Sequence, residues 1–298
     1  MRLLTRSLTL ALLSGSLLAA GCGGEDGDQS SATRLDINAV VRAAEADKTA
    51  AMTGTVKLDG MGLKAPLTVD AAGTGSLTEI AMDVTLKGKP IFELMGVPED
   101  DDIRLVWMGA KTYVKVPEAF VAQVPDQLPW IGVDLASALG TEDKAFEAFM
   151  RMDVAASLAP FQAGASLDAD GTEEIGGVET THWTGEMSID DYLDTLPTDE
   201  RDELRKSLTS GPAPATEDDL ARKQPIEFWI DEDHRVLRMQ GTTVISKTKD
   251  MPAGTMTMRF DYSDFGGPAP ITAPAEDEVW DATDAIADAN AQAAATTE

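Results

Sequence analysis

The chain has 298 residues, 43% of them hydrophobic, with 52 acidic and 24 basic side chains that leave a formal charge of −28. So acidic a surface repels phosphate backbones and anionic headgroups, which excludes nucleic acid as a direct partner, while the apolar share suffices for a packed core. With one cysteine and two histidines, His182 and His234, the chain lacks the means for an internal disulfide, and neither histidine lies in an H-E-x-x-H or G-x-S-x-G context.

Arg2 and Arg6 precede an apolar run from Leu8 to Ala20 that ends in Leu17-Leu18-Ala19-Ala20-Gly21-Cys22. The run is shorter than the roughly 20 residues a spanning helix needs, and it reads as a signal peptide over residues 1–21. The small residues before Cys22 resemble a bacterial lipobox, although Ala19 stands where leucine is commoner. That resemblance implies cleavage before Cys22, acylation of its sulfur and amine by diacylglycerol and a palmitate-type chain, and a lipid anchor on the extracytoplasmic face of the cell membrane. The alternative is a plain secretory signal with a chance cysteine. Cleavage would remove Arg2 and Arg6 and take the formal charge from −28 to −30.

Residues 23–31 are Gly, Ser, Gln and acid with no apolar side chain, so residues 22–32 read as a flexible linker. The ordered domain is expected over residues 33–280. Thr33 with Asp36 looks like a capping box for a helix that ends near Asp47. Strands follow at 52–59, 63–72, 80–87, 90–95, 103–108 and 111–116, the last two joined at Gly109-Ala110; in the third, Ile80, Met82, Val84 and Leu86 alternate with polar positions. Proline-punctuated sequence then predicts short helices between 134 and 158. Strands at 166–175 and 178–187 turn at Gly176-Gly177, and Ser188 with Asp191 and Thr198 before Leu204 and Leu208 start two more helices. After a loop at 209–216, strands at 224–231, 235–247 and 254–264 close the domain. Residues 281–298 are Ala, Asp and Thr and read as a disordered acidic tail.

Antiparallel meanders on both sides of a helical insert predict an α+β fold: a large curved antiparallel sheet, unclosed like half a barrel, with helices packed on its concave face. The blocks Met52-Thr53-Gly54-Thr55-Val56, Lys111 to Pro117, Gly177 to Gly185 and Phe228 to Met239, together with the lipobox, resemble the actinobacterial LppX/LprG/LprA-type lipoproteins, which are similar in fold to LolA and LolB. The resemblance covers most of residues 34–265. It implies an apolar cavity for the acyl chains of a lipid or lipoglycan, no catalytic constellation and no cofactor. The high acidity, the Pro/Ala-rich loop near 211–216 and the acidic tail depart from the mycobacterial members.

The side chains expected to line that cavity are Ile80, Met82, Val84, Leu86, Trp183, Met256, Met258 and Phe260, all on apolar strand faces. The same pattern fits ordinary core. His182 neighbours Trp183 and so faces the opposite side of its strand as a structural residue, and His234 sits in a polar turn. Asp168-Ala169-Asp170-Gly171 lacks the closing glutamate of a calcium loop and reads as a surface turn; Glu99 to Asp102 reads as a solvated loop, so no metal is expected. The function this reading supports is a membrane-anchored, monomeric envelope lipoprotein that binds and transfers lipid without catalysis. The alternative is an RseB-like sensor or scaffold that holds a protein partner, marked by a filled interior and an exposed apolar patch.

Overall fold

The computed structural model describes residues 34–60, 66–79, 81–87, 102–139, 153–210, 215–245 and 252–288. The signal peptide, Cys22, the linker, Ile80, the expected strand at 90–95 and the run Glu99 to Asp101 lie outside these residues.

Twelve strands form a single sheet in the order β12-β6-β5-β4-β3-β2-β1-β11-β10-β9-β8-β7. In chain order they are β1 (Thr49–Gly60), β2 (Leu67–Ser76), β3 (Ala81–Lys87), β4 (Ile103–Met108), β5 (Lys111–Lys115), β6 (Trp130–Asp134), β7 (Leu167–Ile175), β8 (Val178–Met187), β9 (Gln224–Ile230), β10 (Val236–Ile245), β11 (Gly254–Ser263) and β12 (Val279–Asp281). The order is linear and the two end strands do not pair, so the sheet is unclosed. Every pairing is antiparallel except the last, where β12 runs parallel to β6, and the sheet is therefore mixed where sequence reasoning expected it purely antiparallel. Neither β6 nor β12 was expected: β6 follows Pro129 just ahead of the stretch assigned to helices, and β12 is three residues long.

The first helix, α1 (Ile37–Asp47), starts three residues later than expected from Thr33. Asp36 is the cap, and its carboxylate accepts the Ala39 N–H at 3.0 Å. Lys48 ends the helix with φ 63° and donates its N–H to the Ala44 carbonyl. Val40 and Ala44, one helical turn apart, bury against the sheet. A second cover helix, α4 (Val154–Gln162), is capped by the buried Asp153, which accepts the Ala156 N–H at 2.8 Å. Between them in the chain lie the short helices α2 (Glu118–Val121) and α3 (Leu135–Leu139).

The two cover helices run antiparallel to each other. Gln162 at the end of α4 donates to the Asn38 side chain at the start of α1, while Ala44 and Val154 meet at the opposite end around Leu77. Val40 and Ala44 of α1 and Val154, Leu158 and Phe161 of α4 join Met52, Val84, Trp183, Phe228, Met239, Phe260 and Tyr262 of the sheet in one hydrophobic cluster. Gly185 of β8 makes this contact fit: a Cβ there would lie 2.8 Å from the Phe161 ring and 2.9 Å from the Leu167 side chain.

Three further helices, α5 (Ile189–Leu193), α6 (Thr198–Ser210) and α7 (Glu217–Ala221), fill the connection from β8 to β9. The expected capping box at Ser188 and Asp191 is present, and Leu204 packs on Leu193. Thr216 and Asp219 form a second capping box that starts α7 between the expected loop at 209–216 and the strand expected from 224, where no element was assigned. At the C-terminus the first residues of the tail expected from 281 are structured. Asp281 is the last residue of β12, and residues 283–288 are helical because Ala282 and Thr283 are tied to β6 through the Gly132 carbonyl and the Asp134 N–H.

Substituting Gly185→Val should cost about 1–3 kcal/mol of stability by overpacking against Phe161. Urea denaturation should show a lower midpoint with an unchanged slope.

Candidate functional site

Residues directly paired across a sheet share a face, so the ladder registers show what the helix-covered face presents. One row runs Trp183, Phe228, Met239, Phe260 and Gly54, with each residue paired to the next, and continues through Ala71 and Leu86 to Ile103. Phe161 of α4 meets Phe228 edge to face, with ring centroids 6.1 Å apart. This is the densest part of the core: Phe228 is fully buried, and Trp183 and Phe260 retain less than a tenth of their exposure.

The next rows along the strands change character. Ile226, Gly241, Met258, Val56 and Val69 form one, and Met256, Leu58 and Leu67 form another. Here Val56, Leu58, Leu67, Val69, Met256 and Met258 are all half-buried. The apolar face thus continues past the end of the cover helices as a strip that keeps part of its surface exposed. Sequence periodicity pointed to Met256 and Met258 in this strip but left Val56, Leu58, Leu67 and Val69 unremarked, although the alternation from Met52 through Gly54 and Val56 carried the signal.

Of the residues expected to line a cavity, Val84, Trp183 and Phe260 sit in the main hydrophobic cluster, and Met82, Leu86 and Met258 pack against it half-buried. Met256 lies one row further out, and Ile80 lies outside the described residues. Met82 and Phe260 also border an apolar pocket with Met52, Trp107 and Tyr262, whose polar rim is Ser76, Glu79 and Asp153. Its volume is about 30 Å³, room for one or two waters and no more. Sequence reasoning missed Trp107, Asp153 and Tyr262 here, because three separate segments meet only in the folded chain. Burial, and after it the negative charge of Asp153, pushes the Tyr262 phenol far above the ordinary tyrosine range.

The opposite face is polar and tightly bonded. His182 turns away from Trp183 as expected. It stacks on Trp229 with centroids 4.2 Å apart and its Nε2 lies 2.9 Å from Glu227. Trp229 donates its indole N–H to Glu173, and Arg238 lies over the indole ring. His234 occupies the β9–β10 turn with φ 65°. The segment Asp168 to Gly171 forms no turn: it lies within β7, where the register shifts between Ala169 and Thr172 and Gly171 takes φ 89°, a bulge. Among the described residues no group of three or more His, Cys, Asp or Glu is placed to hold a metal, and no helix is long and apolar enough to cross a membrane.

No protein-family model matches the chain, and comparison with curated protein sequences finds no relative. Among solved structures the chain is similar to the Mycobacterium tuberculosis lipoprotein LppX, at 14% identity over 79% of this chain and 98% of that one, with a TM-score of 0.40. It is similar to the MucA/MucB complex of Pseudomonas aeruginosa at 12% identity over 81% of this chain and 59% of that one, with a TM-score of 0.28. A LolA superfamily protein from Nitrosomonas europaea aligns at 10% identity over 77% of this chain and 92% of that one, with a TM-score of 0.24. LppX and LolA are thus neighbours in structure, as the sequence blocks resembled them; at these scores the description of the fold rests on the strand order above.

Because the folded state favours the neutral Tyr262 phenol, that stabilisation is fully present below the unfolded tyrosine pKa near 10 and is lost as pH rises through the folded value. Ultraviolet titration of the native protein should show one of its three tyrosines ionising only above the ordinary range, and Tyr262→Phe should remove that late step.

Proposed function

We propose that this chain is a membrane-anchored lipoprotein of the cell envelope that binds lipid acyl chains along the half-buried strip of its sheet and passes them on without any covalent step. The observation that supports this reading is the continuity of the apolar face beyond its cover: Val56, Leu58, Leu67, Val69, Met256 and Met258 are paired in register yet only half-buried. Exposed apolar area costs roughly 25 cal/mol per Å² in water, and an acyl chain laid on these side chains removes that cost for both surfaces. Methionine, unbranched and polarisable, adapts to chains of different length and unsaturation. The pocket beside Met82, at about 30 Å³, is too small for such a chain, so the strip is the binding surface. Acylation of Cys22 would hold this surface near its supply of lipid.

The packed interior beneath α1 and α4 favours a second reading, in which the open sheet holds a protein partner. Its other mark, an exposed apolar patch, has no support among the described residues: the exposed large apolar side chains Val178, Val244 and Ile286 lie on three different elements.

Native mass spectrometry of the chain from Gly23 onward, purified from a lipid-producing host, should reveal co-purifying lipid. Met256→Lys should lower that occupancy about tenfold, the equivalent of 1.4 kcal/mol. A lipid-free protein that captures a peptide in its place would favour the partner reading. In the producing cell, Cys22→Ala should abolish incorporation of labelled fatty acid and release the protein from membranes.

A further inference from the structure

We infer that the strip takes its lipid by a hydroxyl held at Gln224, so that the ligand is an acylglycerol or a similar lipid with an alcohol beside its acyl ester; this rests on the lipid-binding reading above. Among the described residues two side-chain polar atoms are buried without a hydrogen-bond partner, Thr112 Oγ1 and Gln224 Oε1. Both residues lie on the inner face. Thr112 is paired with Trp107, which is paired with Met82, and Gln224 is paired with Met187. Thr112 stands on β5, on the far side of β1 and β2. Gln224 stands on β9 at the margin of the strip, two residues before Ile226 and so on the same face.

Space for a ligand adjoins this amide. Ile226 is paired with Gly185 on one side and with Gly241 on the other. Phe161 and Leu167 occupy the space over Gly185, where a Cβ would lie within 2.9 Å of both side chains, but a Cβ at Gly241 would meet nothing within 4 Å. Gly241 is paired in turn with Met258, so among the described residues the floor of the strip has a hollow between Ile226 and Met258. A residue two positions along from a cross-strand partner lies about 7–8 Å away, which puts the space over Gly241 within side-chain reach of Gln224. Thr243, two residues beyond Gly241 on the same face, is half-buried and paired with Met256.

The chemistry of Gln224 selects the ligand. A buried acceptor without a donor is costly, and a carboxylate or phosphodiester, which has no proton to give, does not relieve it. A hydroxyl both donates and accepts, so it satisfies the amide whichever way its oxygen and nitrogen point. An ammonium also donates, but it would bring a charge among Met187, Ile226 and Met258. The Thr243 hydroxyl supplies a donor for the ester carbonyl that adjoins such an alcohol in an acylglycerol. The acyl chain then crosses Gly241 and follows the paired row Met258, Val56 and Val69.

The test is a competition, in which the full chain, delipidated in detergent, is offered equal amounts of 1,2-dioleoylglycerol and propane-1,2-diol dioleate, which lacks only the hydroxyl oxygen. Native mass spectrometry separates the two complexes by the mass of that atom. The chain should take up dioleoylglycerol in preference by about tenfold, and Gln224→Leu should bind the two lipids equally. Gly241→Leu should lower uptake of both several-fold with the preference kept, because its side chain fills the hollow. Equal uptake by the unsubstituted chain, a preference that survives Gln224→Leu, or undiminished uptake by Gly241→Leu would each overturn the inference while the lipid-binding reading stands. Uptake of neither lipid would overturn both, so the two failures are distinguishable.

Discussion

An open sheet of twelve strands with one apolar face must cover that face, and most of the fold follows from how the cover is made. A one-residue slip in any strand would turn its apolar set to the wrong side, so the row from Trp183 through Phe228, Met239 and Phe260 to Gly54 fixes five strands at once. Phe161 locks α4 onto that row where Gly185 leaves space, and α1 lies beside α4 through Val40 and Ala44. Two helices of eleven and nine residues span roughly 14–17 Å each at 1.5 Å per residue, which is less than the length of the longer strands. Among the described residues, what the two helices leave half-buried is the strip at Val56, Leu58, Met256 and Met258. Its existence is a consequence of short helices on long strands.

The two faces of the sheet differ in chemistry. On the outer face, His182, Trp229, Arg238 and Asp261 are direct cross-strand neighbours joined by stacking, cation–π and ionic contacts, with Glu227 and Glu173 bonded in from the side. Such a network satisfies every charged group it contains and leaves no titratable side chain turned into an apolar cleft. The inner face is mostly apolar, and its polar members include the phenol of Tyr262, the helix-capping carboxylate of Asp153 and the side chains of Thr112, Gln224 and Thr243. That distribution suits binding of apolar material.

The sheet's two edges are treated differently. β7 is acidic, almost wholly exposed and bulged at Gly171, features that discourage pairing with another chain. The β6 edge is instead closed by the chain itself, since β12 adds a short parallel strand after a crossing from β11 whose start is tied down by the bonds from Gly266 to Thr49 and from Thr49 to Pro268.

Much of this was legible in the sequence. Period-two alternation marked β3 and β11 because their inner and outer faces differ in polarity, and the Ser188 capping box and the Gly176-Gly177 turn that starts β8 act within a few residues. Met82, Val84, Leu86, Trp183, Met258 and Phe260 could be assigned to one apolar face for the same local reason. What no local pattern holds is which strands lie side by side. β12 is too short to show a period and gains its place only by pairing with β6, about 150 residues away in the chain. The pocket at Met82, Trp107, Asp153 and Tyr262 likewise draws on segments that the chain brings together only when the sheet is complete. The sequence by itself determined the faces of the strands. Only the tertiary structure decided where the cover helices stop, and so which apolar residues are sealed in the core and which stay half open, because burial depends on what packs opposite a side chain and not on its own identity.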